Sequence, residues 1–141
     1  MTAFYNTISG DGGEQDWARA ARLFHPDGRM VRTRIEQGQP RAWVFSHDAY
    51  VESTRALLAG QSFYEIETAR EVVQFGQIAQ VFSTYEARST PTSAELIFRG
   101  VNMAHLWHDG ERWWIMNVIW DNEREGVTLP AQWLADPQRD A

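Results

Sequence analysis

Residues 98–120 read Phe98-Arg99-Gly100-Val101-Asn102-Met103-Ala104-His105-Leu106-Trp107-His108-Asp109-Gly110-Glu111-Arg112-Trp113-Trp114-Ile115-Met116-Asn117-Val118-Ile119-Trp120. Asp-Gly between two β-rich runs is a strong hairpin signal. A two-residue turn at Asp109-Gly110 pairs Trp107 with Arg112, His105 with Trp114, Met103 with Met116, Val101 with Val118 and Arg99 with Trp120. Side chains alternate along a strand, so these ten share one face. The opposite face carries Phe98, Gly100, Asn102, Ala104 and Leu106 against Trp113, Ile115, Asn117 and Ile119. Both faces are largely apolar. A chain of 141 residues cannot cover both with its own helices. The expected cover for the second face is another copy, a homodimer built on Trp113, Ile115 and Ile119.

Upstream, the period of two continues through strands at about Phe63–Phe75 and Gln77–Arg88, broken at Gly76. Thr90-Pro91-Thr92 separates the second of these from a strand beginning near Glu95. Before Gly60 the pattern is mostly helical. Phe4 and Ile8 share a face of a short helix over Ala3–Ser9, and Gly10-Asp11-Gly12-Gly13 is a loop. Asp16 caps a second helix, Trp17–Phe24, ended by Pro26 and Gly28. Met30–Ile35 is a short strand, Gly38–Pro40 a turn, and Ser46 caps a third helix over Asp48–Leu58. The tail Leu129–Leu134 is expected to lie on the body. Helices, a short strand, a helix and then an antiparallel meander make an α+β class, one domain over residues 1–141.

Composition sets the outer limits. Net charge is −6, which argues against nucleic acid and anionic membrane as partners. No Cys is present, so there is no disulfide framework, thiolate metal site or Cys nucleophile. No apolar run approaches the roughly 18 residues of a membrane span, and residues 1–10 lack a secretory pattern. A cytoplasmic protein is expected. All 13 basic residues are Arg, and there are seven Trp, enough for a thick core or an aromatic pocket wall.

The chain resembles the nuclear transport factor 2-like, or SnoaL-like, superfamily, and within it an uncharacterised bacterial group. The resemblance rests on Asp16-Trp17 through Leu23-Phe24-His25-Pro26-Asp27, Phe75-Gly76-Gln77-Ile78-Ala79, Ser83-Thr84-Tyr85-Glu86-Ala87-Arg88, Arg99-Gly100-Val101-Asn102 and Asp109-Gly110-Glu111-Arg112-Trp113-Trp114-Ile115. It implies a cone-shaped, cystatin-like roll: three N-terminal helices on a curved mixed or antiparallel sheet enclosing a pocket. The superfamily hosts isomerases, dehydratases, epoxide hydrolases, cyclases and non-catalytic proteins, so fold alone chooses no activity. The ketosteroid isomerase-like pattern falls on Phe4, Arg32 and Met103, none of which suits that chemistry. The dehydratase-like and epoxide hydrolase-like patterns lack an inward Asp.

The expected pocket face carries Phe82, Thr84 and Glu86 beside Arg99, Val101 and Met103, with Arg70 joining and Arg32 a possible fourth basic member. Two Arg to one Glu leaves a positive charge over. The cluster is either a clamp for an anionic ligand or an ion pair that holds the sheet. Met103, Met116, Val118 and Trp120 are core or pocket wall, and Trp17 is a further aromatic contact. His105, Glu86 and Tyr85 are the only candidate proton carriers in this reading. His105 and His108 lie on opposite faces, so no metal site is expected, and no cofactor. Two functions remain open. One is a small-molecule-binding protein or cofactor-independent acid–base enzyme for a hydrophobic anionic ligand. The other is a dimeric scaffold whose cavity its own Trp and Met side chains fill.

Overall fold

The computed structural model describes residues 1–13 and 15–134. Elements follow the chain as α1 Thr2–Ile8, β1 Gly10–Asp11, α2 Trp17–Leu23, β2 Phe24–Glu36, β3 Gln39–Phe45, α3 His47–Leu58, β4 Ser62–Phe75, β5 Ile78–Arg88, β6 Phe98–His108 and β7 Trp113–Asn122, with a short 3-10 turn at Ala131–Trp133. The seven strands form one sheet in the order β1-β4-β5-β6-β7-β2-β3. Among the described residues only β2 and β7 run parallel, and every other pairing is antiparallel. Among the described residues no helix is long and apolar enough to cross a membrane.

The helix starts follow from their caps. Asp16 Oδ1 accepts from Arg19 N at 3.0 Å, and Ser46 Oγ from Ala49 N at 3.2 Å, each satisfying one free N–H of a first turn. α2 ends at Leu23, one residue short of the expected Phe24, and the chain continues at once as strand through Pro26 and Gly28. β2 is 13 residues long, where the sequence predicts six, and β3 is a further strand where it predicts none. Gln37-Gly38 turn the β2–β3 hairpin at positive φ. The core lies between the helices and the inner face of the sheet: Phe4, Tyr5 and Ile8 from α1, Tyr50 and Val51 from α3, and Met30, Val81, Tyr85, Ala104, Ile115 and Val118 from strands.

The β6–β7 hairpin corrects the expected register. The first pair is His108 with Trp113, so the loop has four residues rather than two. Asp109 organises it: Oδ1 accepts from Glu111 N and Arg112 N, and Oδ2 from Trp114 Nε1 at 2.7 Å. Trp107 faces Trp114, and Leu106 faces Ile115. The next pair is His105 with Asn117. Met116 is the extra residue of a β-bulge, and a bulge inverts the alternation beyond it. Val118 and Trp120 therefore share the inner face with Asn102 and Ala104, while Arg99, Val101, Met103 and His105 go outward with Asn117, Ile119 and Asp121. Ile115, expected outside, is 5 % exposed and stands in the core beside Phe24.

Thr84, Glu86 and Phe82 pair with Val101, Arg99 and Met103 as expected, but their shared face is the outer one. The tail packs there. Trp133 sits 4.6 Å from Phe82, ring to ring, and its carbonyl accepts from Thr84 Oγ1 at 2.9 Å and Thr68 Oγ1 at 3.2 Å.

Candidate functional site

Between α1, α3 and the inner sheet face lies a cavity of about 430 Å³. Phe4 and Ile8 reach it from α1, Tyr50 and Thr54 from α3, Glu65 from β4, Tyr85 from β5, Asn102 from β6, Trp120 and Asn122 from β7, and Arg32 from β2. The walls are mostly aromatic. Tyr50 stands edge-on to Trp120 at 5.8 Å, and Tyr85 edge-on to Phe98 at 6.2 Å.

Glu65 is the acidic side chain of this cavity. It is opposite Ala87 on β5, so its side chain follows Phe63 to the inner face. Its backbone is pinned to the end of α1: Ser9 Oγ bonds the Tyr5 carbonyl at 2.9 Å, and Glu65 N donates to Ser9 Oγ at 3.0 Å. Among the described residues no donor reaches the carboxyl group. Desolvation alone pushes it up to about 8, so at neutral pH it holds its proton. Tyr50 and Tyr85 surround it, and both phenols are raised, first by burial and then by the Glu65 charge. Thr54, 6 % exposed, adds a buried hydroxyl beside the Tyr50 phenol, where its hydrogen bond works against the effect of burial.

Two cations line the cavity, Arg34 and, nearer the Tyr50 phenol in its effect, Arg32. Arg32 pairs across the sheet with Trp120, and its guanidinium lies 5.4 Å from the centre of the Phe45 ring. Its charge lowers the Tyr50 phenol, against the larger effect of burial. No carboxylate pairs with it among the described residues, whereas Arg34 beside it is tied to Glu36. With Glu65 protonated, Arg32 leaves the cavity one positive charge in an apolar wall.

The expected site residues divide. Tyr85, Trp120 and Arg32 line the cavity. Val118, fully buried, belongs to the core instead. Met103 is 43 % exposed on the outer face, and Met116 and His105 border an outer groove with Phe75 and Ile78. The bulge at Met116 sends them there. His105 Nδ1 meets Asn117 Nδ2 at 3.2 Å, and His105 is not among the residues that line the cavity. Phe82 is under Trp133. Trp17 lines a separate groove between α2 and α3.

The Arg70–Glu86–Arg99 cluster does not assemble. Glu86 Oε1 binds Arg99 at 2.9 Å and Oε2 binds Arg88 at 2.6 Å, while Arg99 also reaches Glu123 at 3.1 Å. Two Glu balance two Arg, and no spare charge remains. Burial works to raise the Glu86 carboxyl, but hydrogen bonds from Arg88 and Arg99 outweigh it and hold it below the usual range. Arg70 is on the inner side, opposite Ser83, and binds Glu67 at 2.5 Å and Thr2 at 2.9 Å. The clamp expected here is a structural ion-pair network on the outer face.

Glu65 escaped the sequence reading because alternation misleads in Phe63-Tyr64-Glu65-Ile66-Glu67: Tyr64 and Ile66 look like the inward set. The available signal was the partner strand, where Tyr85 and Ala87 inward imply Glu65 inward. Among the described residues no three His, Asp or Glu side chains converge on a metal position.

No family model matches the sequence, and no curated protein does. Solved structures do match. A protein of unknown function with a cystatin-like fold from Nostoc punctiforme superposes with TM-score 0.65 at 8 % identity, over 86 % of this chain and 84 % of its own. A nuclear transport factor 2-like protein of unknown function from Silicibacter pomeroyi gives 0.60 at 13 %, over 86 % and 88 %. A Streptomyces avermitilis protein of the same family, for which a dehydratase role has been suggested, gives 0.60 at 16 %, over 86 % and 90 %. This chain has the nuclear transport factor 2-like, cystatin-like fold.

Proposed function

We propose that the protein binds a small hydrophobic, anionic molecule in this cavity and moves a proton on it, with Glu65 as the proton carrier and Arg32 holding the anionic group. The observation that carries the reading is a carboxyl group lining an aromatic cavity with no partner to satisfy it among the described residues. A structural carboxylate is normally paired, because burying it unpaired costs several kcal/mol, of order 2–7 even for neutral polar groups. Strained groups of this kind concentrate at catalytic sites, where a proton affinity near the working pH serves both acid and base steps. Arg32 supplies the orientation: a guanidinium against apolar walls makes a short, directional contact with a carboxylate or enolate. Tyr85, Tyr50 and Trp120 provide the walls. The suggested dehydratase role of the Streptomyces protein is compatible with such acid–base work. The alternative, a scaffold with a side-chain-filled cavity, loses its filler, because Met103 and Met116 face away and about 430 Å³ stays open.

The test uses a surrogate whose only demand is a base in an apolar pocket. 5-Nitrobenzisoxazole opens its ring when one C–H proton is removed. The protein should accelerate this opening with a rate that rises through pH 8, following ionisation of Glu65, and Glu65→Gln should abolish it. In the same assay 2-naphthoate should inhibit about tenfold better than 2-naphthamide, and Arg32→Ala should erase that difference. Acceleration that survives Glu65→Gln, or equal inhibition by acid and amide in the wild type, sinks the corresponding role.

A further inference from the structure

Asn102, at the polar end of the cavity, has a donor side and an acceptor side of the same shape. Which one faces a ligand is decided outside the cavity, by a chain of hydrogen bonds. Asn102 Nδ2 donates to Tyr5 Oη at 3.0 Å. Tyr5 Oη lies 2.7 Å from Ser83 Oγ, and Ser83 Oγ donates to Glu67 Oε2. Arg70 closes the far end, with Nη2 on Glu67 Oε1 at 2.5 Å and Nε on Oε2 at 3.1 Å.

The protons can be counted along this chain. A carboxylate held by a guanidinium only accepts, so Ser83 must give it its single proton. Ser83 must then accept from Tyr5, which spends its own single proton there. Tyr5 must in turn accept from Asn102, and only Nδ2 can donate. Tyr5 and Asn102 are each 3 % exposed and Ser83 is fully buried, so bulk water offers no other arrangement. Asn102 Oδ1 is left without a partner among the described residues. The second cavity amide has the opposite sense. Tyr85 Oη donates to Asn122 Oδ1 at 2.5 Å, which leaves Nδ2 as the free side.

We propose that Asn102 Oδ1 is a fixed acceptor that selects ligands donating an O–H or N–H at this point, and that Glu67, which does not line the cavity, sets its polarity. The inference rests on the cavity being a ligand site, as proposed above, and narrows the ligand class. An aromatic or aliphatic anion with a hydroxyl or N–H at a distance from its charge fits. A molecule with only an ether or carbonyl oxygen at that point meets acceptor against acceptor.

Indole-5-carboxylate and benzofuran-5-carboxylate test this by calorimetry. They share shape and charge and differ in an N–H donor against a ring oxygen. The wild type should bind the indole about tenfold tighter, since the benzofuran leaves Oδ1 desolvated and unpaired. In Tyr5→Phe the amide is free to turn its N–H inward, and in Glu67→Gln the chain loses its acceptor-only end. Either variant should bring the two ligands within about twofold. Thermal melts without ligand establish that each variant is folded, and the wild-type ratio decides the acceptor on its own. Equal binding by the wild type overturns the acceptor and leaves the cavity reading standing. A preference retained in both folded variants overturns the role of Glu67. Binding of neither compound at millimolar concentration overturns both proposals.

Discussion

Glu65 shows how one side chain ties stability to function. Its ordinary value is 4.5 and its folded value about 8, both free of any ion partner. Tyr5, Tyr50 and Tyr85 are the titratable groups it affects, and the cations of its cavity are Arg32, whose charge acts on Tyr50, and Arg34, which is tied to Glu36. Below about pH 4.5 folded and unfolded chains both hold the proton, and the group adds no pH dependence. Between those values the unfolded chain releases a proton that the folded chain keeps, so stability falls as pH rises. Above about 8 both are ionised and the loss levels off. Glu65→Gln removes the ionisation and keeps the shape. Denaturant titration should find the variant more stable than wild type by about 2–4 kcal/mol at pH 9 and nearly equal at pH 4. Equal stabilities at pH 9 would mean that the carboxylate is solvated or paired in the native state. The same exchange costs the proton carrier, the expected trade between a strained site and a stable fold.

At the scale of elements, one residue separates the legible from the illegible. Helix starts at Asp16 and Ser46, the strand count from residue 62 onward and the β5–β6 register all follow from local pattern. These depend on caps and alternation, which neighbours in sequence decide. The faces of β6 and β7 depend on Met116, a bulge whose flanks look like an unbroken apolar run. Its cause is tertiary: Ile115 is held opposite Phe24, and Val118 opposite Met30, by the parallel strand β2, which the sequence made too short. Plain alternation without that shift places Arg99, Met103 and His105 in the pocket, whereas the bulge leaves them on the outer face. The bulge makes a direct prediction. Deleting Met116 restores plain alternation across the hairpin, with Ile115 still opposite Leu106 and Asn117 opposite His105, so both strand faces are kept. The deletion variant should keep its near-ultraviolet circular dichroism and melt cooperatively. Met116→Ala keeps the extra backbone residue and should cost about 1 kcal/mol or less. A deletion variant without cooperative melting would show that the extra residue is itself needed for β7 to pair with both β6 and β2.

The whole molecule leaves one sheet face incompletely covered. Three helices and the cavity occupy the inner side. On the outer side the tail segment around Trp133 seals Phe82 and Thr84, and Glu123 holds the start of that tail through Leu129 N at 2.8 Å. Beyond it Phe75, Val73 and Ile78 are 84 %, 64 % and 60 % exposed, and Met103, Trp107 and Ile119 about 40 % each. These side chains come from β4, β5, β6 and β7, paired in register, so they form one surface rather than scattered points. Soluble monomers rarely expose contiguous apolar patches beyond a few hundred Å². A second copy is the simplest cover, since an isologous pair buries the same patch twice. The face differs from the Trp113–Ile115–Ile119 surface read from sequence: Ile119 remains, Ile115 is internal, and the centre moves to Phe75 and Ile78. Light scattering at micromolar concentration should give twice the 16.2 kDa chain mass. The double variant Phe75→Glu, Ile78→Glu places like charges across the pair and should yield a folded monomer. The cavity opens on the other side of the sheet, so ring opening of 5-nitrobenzisoxazole by that monomer should match wild type. A wild-type monomer would leave this surface without its second copy. A dimer that withstands both substitutions would place the contact elsewhere on the molecule.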